Sequence, residues 1–146
     1  NRATDTTLAR LFPEHAPSAK VVVPVHFGGP ERVNALFAIV RHNPGAQAMP
    51  LFAGLHLVSQ ASAIDRVIEQ NPGDARFFAG FVAWQPGELE KEIDQGFWYL
   101  TDADAAMFFR PDTSRLWEEL VLQLGNDLTP QRPRGRLLSA SLEIYD

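Results

Sequence analysis

The sequence predicts an α+β fold in which a largely antiparallel, barrel-like sheet is combined with three to four helices. Two observations indicate this class. Short apolar segments typical of strands are interspersed with segments of helical periodicity, without the regular βαβ alternation of a parallel protein. Turns rich in proline and glycine separate most of these segments, which is typical of strands that fold back on one another.

The composition fits one globular domain. The chain has 146 residues, 45% of them hydrophobic and 21% charged, and a chain of this length buries roughly 70% of its unfolded surface. It contains no Cys, which excludes disulfides and thiolate chemistry and fits a cytoplasmic protein. The net charge of −5 argues against nucleic-acid binding, and no apolar run is long enough to span a membrane. We predict a single domain over residues 1–130.

The first elements are a short helix and a strand. Thr4 or Asp5 is a candidate N-cap for a helix that Pro13 ends. Residues 21–27 are rich in β-branched side chains, and Pro24 interrupts them. Because proline cannot donate a backbone hydrogen bond, this pattern predicts an edge strand or a bulge.

A hairpin, a strand and a helix are predicted next. The turn at 28–30 separates the first strand from the apolar residues 35–40, which predicts an antiparallel hairpin. Residues 51–59 alternate and predict a further strand. A helix follows, capped by the serine that ends this strand or by Ser62, and it ends at Asn71.

The most informative stretch is a strand, a helix and a second strand. Residues 76–84 are almost continuously apolar, which is typical of a central strand covered on both faces. Residues 86–95 predict a helix, since proline suits the first turn, acidic residues favour the positive end of the helix dipole, and Gly96 suits a left-handed C-terminal position. Residues 97–101 predict the returning strand.

The last elements are a short apolar segment, a helix and a tail. Residues 103–109 predict a helical turn, and Asp112 or Thr113 caps a helix that Gly125 ends. Residues 131–146 form a proline- and arginine-rich linker with a strictly alternating segment at its end. That alternation is typical of an extra strand, and a disordered extension is the alternative.

Three glutamates of the 86–95 helix are the main candidates for chemistry. Glu88 and Glu92 fall on one helical face, where two like charges need a compensating group. Solvated carboxylates account for this spacing. The alternative is a hydrolase that pairs Glu88, Glu90 or Glu92 with His26 or His56 for acid–base catalysis. The histidines lack metal-binding spacing and no loop has a nucleotide-binding pattern, so we expect no metal and no cofactor.

Several motifs together resemble the AlgH/YqgE family of bacterial proteins. The family pattern is an apolar strand that ends in glycine, then Trp-x-Pro-Gly-x-Leu-Glu-x-Glu-Ile, then a Gly-x-Trp strand, with Phe-Gly-Gly-Pro as a second signature. The corresponding segments of this chain are 80–84, 86–93, 96–98 and 27–30. Weaker matches are 54–56 and 1–3, where Ala3 replaces the family's proline. The similarity extends from residue 1 to about 127.

The resemblance implies a compact α+β structure whose strongly bent sheet closes into a pseudo-barrel. Most members of the family are cytosolic and lack an established catalytic activity, so the resemblance implies the same for this protein. One branch of the family is described as a regulator of alginate synthesis. The strands that precede Asn-Arg-Pro in the family are missing from this sequence, which would expose a sheet edge. We expect residues 138–145 or a second subunit to cover that edge.

We therefore predict a binding or regulatory protein of the bacterial cytoplasm that does not catalyse a reaction, although the residues leave enzymatic activity open. The alternatives are the hydrolase described above and a structural subunit of an assembly. The expected partner is a protein or a small molecule, not a membrane or a nucleic acid, and a homo-oligomer is predicted through the exposed edge. The candidate binding residues in the two turns are Gly28, Gly29, Pro30, Trp84, Pro86, Gly87, Glu90 and Glu92.

Overall fold

The computed structural model describes residues 3–126, so the predicted linker and strand at 131–146 lie outside the described residues. The described strands are β1 (Ala3–Thr7), β2 (Pro24–Phe27), β3 (Glu31–Val40), β4 (Ala48–Pro50), β5 (His56–Val58) and β6 (Ala75–Phe81). The described α-helices are α1 (Leu8–Leu11), α2 (Ala61–Gln70), α3 (Glu88–Asp94), α4 (Ala105–Phe108) and α5 (Leu116–Asn126). None of the helices within 3–126 is long and apolar enough to cross a membrane.

The six strands form one mixed sheet in the order β1-β2-β6-β3-β5-β4. Neighbouring strands are antiparallel except β2 and β6, which run parallel with Val25 opposite Phe77. The predicted α+β class with a mostly antiparallel sheet is confirmed. Over residues 3–126, however, the sheet stays open instead of closing into a barrel, and there are five α-helices instead of three to four.

One face of the sheet carries the hydrophobic core. Val25, Ala38 and Phe77 lie opposite one another on neighbouring strands and are at most 2% exposed. The apolar stripe of α2 covers them with Ala63, Ile64, Val67 and Ile68. Each large side chain buried in this way contributes roughly 1.5–3 kcal/mol. The apolar face of α2 therefore packs on the sheet and covers its core.

The other face of the sheet carries aromatic and cationic residues. His26 on β2 lies opposite Phe78 on β6, and Arg76 lies opposite Ile39 on β3. Because side chains alternate along a strand, all four point away from α2, and Arg41 follows β3 on the same side. α4, α5 and the segment between them lie against this face and leave an open cleft.

The N-terminal elements differ from the prediction. Residues 3–7 form a strand instead of beginning a helix, and it is Thr7 whose side chain caps α1. Thr4 donates its hydroxyl to the carbonyl oxygen of Val25 at 2.7 Å and so ties β1 to β2. β2 lies inside the sheet and begins at Pro24, where a missing N–H is tolerated because the residue is the first of the strand.

The predicted hairpin between 21–27 and 35–40 is wrong. β6 lies between β2 and β3, so these two strands are neighbours in sequence but not in the sheet.

The strand predicted at residues 51–59 is shorter in the structure, where β5 spans His56–Val58. Ala53 and Gly54 have φ values of 48° and 79°, and this turn connects β4 to β5.

The predictions around α3 are largely correct. β6 is the central strand that its continuous apolar run predicted. The helix is followed by Gly96 with φ of 78°, the left-handed conformation expected there. It begins at Glu88, two residues later than the prediction from Pro86, because Gly87 adopts φ of 82° and cannot continue a right-handed helix.

The aromatic segment after α3 is not the predicted strand. No strand of the described sheet pairs with residues 97–101. Phe97 and Tyr99 are 71% and 62% exposed. Aromatic residues favour a strand because their side chains pack against those of neighbouring strands. Within residues 3–126, no strand lies beside residues 97–101 to provide this packing.

Candidate functional site

Three glycines bring the turn after β2 into contact with β6. A Cβ atom on Gly28 would overlap the carbonyl oxygen of Gly80, and one on Gly29 would overlap that of Phe81. A Cβ on Gly80, whose φ is 71°, would overlap the carbonyl oxygen of Gly29. Only residues without side chains fit between these backbones. Gly28 and Gly29 of the predicted site are thus required by packing, while Pro30 beside them is exposed.

Glu92 joins two tryptophans that flank α3. Its Oε2 accepts hydrogen bonds from Nε1 of Trp84 at 3.2 Å and from Nε1 of Trp98 at 2.5 Å. The two indole rings pack edge to face with centroids 5.5 Å apart. We call these three residues the indole cluster. The cluster ties the entrance of α3 to its exit, so Glu92 has a structural role whether or not it also meets a partner.

The remaining predicted residues of this segment lie at the surface. Glu88 accepts a hydrogen bond from the backbone N–H of Gln85 at 2.7 Å and so stabilises the turn before α3. Pro86, Gly87 and Glu90 are exposed. Glu90 is therefore the predicted carboxylate that is most accessible to a partner.

The structure brings the two predicted turns to the same end of the sheet. β2 and β6 run parallel, so their carboxyl ends meet there. Gly28 donates its N–H to the carbonyl oxygen of Ala79 at 2.9 Å. The side chain of Glu31 accepts a hydrogen bond from the N–H of Ala83 at 2.9 Å. These two contacts hold the turn at 28–30 beside the start of the segment that carries the indole cluster.

The histidines do not meet the glutamates of α3. His26 is buried, and its Nε2 accepts a hydrogen bond from Arg76 at 3.0 Å. Nδ1 of His56 is buried and has no hydrogen-bond partner among residues 3–126. The hydrogen bonds of Glu88 and Glu92 go to backbone and indole N–H groups, so the acid–base pair of the hydrolase hypothesis is not formed. Within 3–126, no three acidic or histidine side chains are grouped closely enough to hold a metal.

A cleft that the sequence did not predict lies between the sheet and the α4–α5 region. Its main space is about 440 Å³, and a deeper recess of about 160 Å³ reaches His26, Arg76 and Phe78. Met107 and Leu116 line both spaces. We call the two spaces together the arginine cleft. The main space is also lined by charged and apolar side chains, among them Arg41, Asp104, Phe109, Arg110, Glu119 and Leu120.

A chain of hydrogen bonds holds the wall of the arginine cleft against the sheet. Arg76 donates to His26 on one side and to the backbone carbonyl of Arg110 on the other. Arg110 forms a two-pronged ion pair with Glu119, with N–O distances of 2.5 and 3.0 Å. This pairing raises the pKa of Arg110 and lowers that of Glu119, so both stay charged at neutral pH.

Burial and charge keep His26 neutral. Burial lowers the pKa of His26 below its ordinary value, the neighbouring charge of Arg76 lowers it further, and the contact with the Phe77 carbonyl opposes both. Burial also lowers the pKa of Arg76, with a second contribution from the charge of Arg41. The recess therefore presents a neutral imidazole beside a guanidinium.

The arginines of the cleft gave no recognisable motif in the sequence. Arg41 and Arg76 are 35 positions apart, and each stands at one end of a strand, where charged residues are common. They come together because β3 and β6 pair with Ile39 opposite Arg76, which puts Arg41 on the same face. The one available signal was Arg76, which stands near the start of the otherwise apolar strand β6. This arginine indicates a buried partner only when the pairing of β3 with β6 is known.

The fold and the site define a class: an α+β domain with an open mixed sheet, a core on one face and a ligand-sized cleft on the other. The family described as DUF179, AlgH-like, matches residues 1–129, and the chain belongs to this family. The predicted resemblance is thereby confirmed.

Known relatives agree with this assignment. A UPF0301 protein of Chlorobium limicola is 32% identical over 110 residues, which cover 71% of this chain and 58% of the relative, so the match spans less than two thirds of that relative. The solution structure of AlgH from Pseudomonas aeruginosa is 21% identical with a TM-score of 0.67, and the match covers 92% of this chain and 76% of that one. A Corynebacterium diphtheriae protein is 20% identical with a TM-score of 0.61, over 83% of this chain and 66% of that one. These two structures share the fold.

Proposed function

We propose that the protein is a non-catalytic binding or regulatory protein of the bacterial cytoplasm and that the arginine cleft is its ligand site. The size and lining of the cleft support this most directly. Its main space of about 440 Å³ falls within the range of small-molecule sites, roughly 300–1,000 Å³. Like such sites, it combines apolar side chains with a few charged groups at fixed positions.

The contacts inside the cleft favour recognition over proton transfer. Burial, and then the charge of Arg76, lower the pKa of His26 and keep it neutral, and Glu119 is held ionised by Arg110. A general acid or base must reach the substrate and exchange a proton near neutral pH. Both groups are committed to protein partners, so the arrangement is better suited to orienting a ligand.

The ligand site is tested by filling it. Leu120 lines the cleft, whereas Leu122 on the same helix is 66% exposed. We expect small aromatic fragments to shift amide NMR signals of residues 104–123 in the wild type and in Leu122→Trp. Leu120→Trp should abolish these shifts because the larger side chain occupies the space. Shifts that persist in Leu120→Trp, or that cluster elsewhere in all three proteins, would contradict the proposal.

We propose a second surface, formed by residues 28–30 and 84–92, as the contact for a protein partner. Support comes from the position of both turns at one end of the sheet and from the exposure of Pro30, Pro86 and Glu90. Glu90→Gln should weaken the retention of a partner from a bacterial lysate without lowering the melting temperature. Equal retention by the wild type and the variant would argue against this surface.

We also propose that a second copy of the chain pairs with the edge of the sheet. β1 is at one edge of the sheet over residues 3–126, and a free strand edge is a template for pairing. Light scattering combined with size-exclusion chromatography should then show a dimer that dissociates on dilution. A monomer at all concentrations would contradict edge pairing.

A further inference from the structure

Arg41 is the guanidinium of the arginine cleft that forms no side-chain hydrogen bond or ion pair within residues 3–126, whereas Arg76 and Arg110 do. It is exposed, and its Cζ lies 4.2 Å from the centroid of the Phe109 ring. Within residues 3–126, no carboxylate lies within ion-pair distance of it. Stacking on a ring uses the flat face of the guanidinium, so its in-plane N–H donors stay available for a two-pronged contact with a ligand.

The other charges of the cleft are already engaged. Arg76 donates to His26 and to the Arg110 carbonyl, and Arg110 is paired with Glu119. Asp104 accepts a hydrogen bond from a backbone N–H at the start of α4 at 2.8 Å. With His26 neutral, three guanidinium groups face two carboxylates, which leaves an excess of one positive charge.

The rest of the lining includes aliphatic side chains and one aromatic ring. Phe109 lies under Arg41, and Met107, Leu116 and Leu120 line the same space. Apolar walls favour an apolar ligand body, because burying it removes hydrocarbon surface from water. A flat aromatic body is favoured because it can pack edge to face with the ring of Phe109, one face of which Arg41 covers, and because methionine adapts to varied shapes.

We propose that the arginine cleft binds small carboxylates with a flat, apolar body, with the carboxylate on Arg41 and the body against Met107, Phe109 and Leu120. This inference rests on the proposed function of the cleft as a ligand site and adds the chemical class of the ligand. A monoanion matches the single excess charge of the cleft.

The proximity of two cations supports an anionic ligand. The charge of Arg41 contributes to the lowered pKa of Arg76, although burial contributes more. Two neighbouring guanidinium groups repel each other, and an anion between them would relieve that repulsion. Bound carboxylate should therefore raise the melting temperature of the protein.

The test compares two ligands of the same shape that differ in charge. The full chain is titrated with 2-naphthoate, with its neutral amide 2-naphthamide and with inorganic phosphate, and binding is followed by amide NMR shifts. A charge-assisted hydrogen bond distinguishes the first two by about tenfold. We expect 2-naphthoate to bind about tenfold more tightly than 2-naphthamide and much more tightly than phosphate, which has no apolar body.

Matched variants locate the contact. Arg41→Gln should remove the preference for 2-naphthoate, and Phe109→Leu should weaken both naphthyl compounds alike. Arg32→Gln is the control, since Arg32 is an exposed arginine near the opposite end of β3. It should bind like the wild type. Amide spectra of each variant confirm that it is folded.

Each outcome separates this inference from the proposed function. Equal binding of 2-naphthoate and 2-naphthamide in the cleft, or unchanged preference in Arg41→Gln, overturns the carboxylate class and leaves the ligand site standing. If phosphate binds as tightly as 2-naphthoate, the claim that the ligand needs an apolar body is wrong. If aromatic fragments in general fail to shift residues 104–123, the ligand site itself falls, and the inference falls with it.

Discussion

The guanidinium of Arg76 donates a hydrogen bond to Nε2 of His26 at 3.0 Å on the face of the sheet that lines the arginine cleft. A guanidinium cannot accept a proton, so Nε2 is unprotonated and the neutral ring carries its proton on Nδ1, 3.3 Å from the carbonyl oxygen of Phe77. The same guanidinium donates to the carbonyl of Arg110. The protonation state of His26 is thereby coupled to the position of the cleft wall.

Acidification should destabilise the protein through His26. Burial, and then the charge of Arg76, hold its pKa below the ordinary value of 6.5, so the unfolded chain takes up a proton that the folded chain refuses. Stability is therefore complete above about pH 6.5 and falls as the pH drops from there to the folded pKa, by at most about 1.4 kcal/mol per pH unit. Urea unfolding between pH 8 and pH 5 measures this loss.

The control for the pH dependence is His26→Gln, which keeps an acceptor for Arg76 but does not titrate. Its stability should fall less than that of the wild type between pH 7 and pH 5, because the variant lacks the imidazole whose pKa is lowered in the folded protein. Parallel curves for the two proteins would show that His26 is not the group responsible.

Removing the guanidinium of Arg76 should loosen the α4–α5 region. Arg76→Met leaves Nε2 of His26 and the Arg110 carbonyl without their donor, which should cost about 1–3 kcal/mol of the free energy of unfolding. Amide hydrogen exchange should accelerate selectively at residues 105–120. Arg66→Met is the matched control, because in the described part of the chain the Arg66 side chain donates only to exposed Gln47. Unchanged exchange at 105–120 in Arg76→Met would refute the linking role.

The contact between the turn at 28–30 and β6 should not tolerate a methyl group. In Gly29→Ala the new Cβ would overlap the Phe81 carbonyl, and we expect a loss of about 2–4 kcal/mol from forced backbone shifts. Gly73→Ala is the control, because a Cβ there meets nothing within 4 Å, and its unfolding free energy should change by less than about 0.5 kcal/mol. Similar denaturation midpoints for the two variants would mean that the backbones are farther apart than described.

The indole cluster should make Glu92 more important for stability than Glu90. Glu92→Ala removes the acceptor shared by Trp84 and Trp98 and should cost about 1–3 kcal/mol, with a change in near-ultraviolet circular dichroism. Glu90→Ala lies on the same helix but is exposed, so its midpoint should stay close to that of the wild type. Equal stability of the two variants would place Glu92 at the surface rather than in the cluster.

Local signals predicted the elements whose stability is local. α2 is apolar along one face, α3 is followed by left-handed Gly96, and β6, which is central to the sheet, is apolar apart from Arg76. The parallel pairing of β2 with β6 joins segments about 50 residues apart, and no turn residue encodes it. The failed strand at 97–101 has the opposite cause, since its aromatic residues lack a neighbouring strand within 3–126.

The candidate site was predictable only in part for the same reason. The glycines at 28–29 and the residues around α3 were recognisable because close packing and helix ends require particular residue types. The arginine cleft depends on the pairing of β3 with β6 and on the packing of α4 and α5 against them. Arg41 and Arg76 were therefore visible as residues but not as a site.

The position of a bound ligand tests most directly whether the arginine cleft is the ligand site. Isotope-filtered NMR of the full chain with 2-naphthoate measures contacts between ligand protons and protein methyl groups. If the arginine cleft is the ligand site, nuclear Overhauser effects will connect the naphthyl ring to the methyl groups of Met107, Leu116 and Leu120. Contacts to the indole cluster instead, with none to these three methyl-bearing residues, would contradict it.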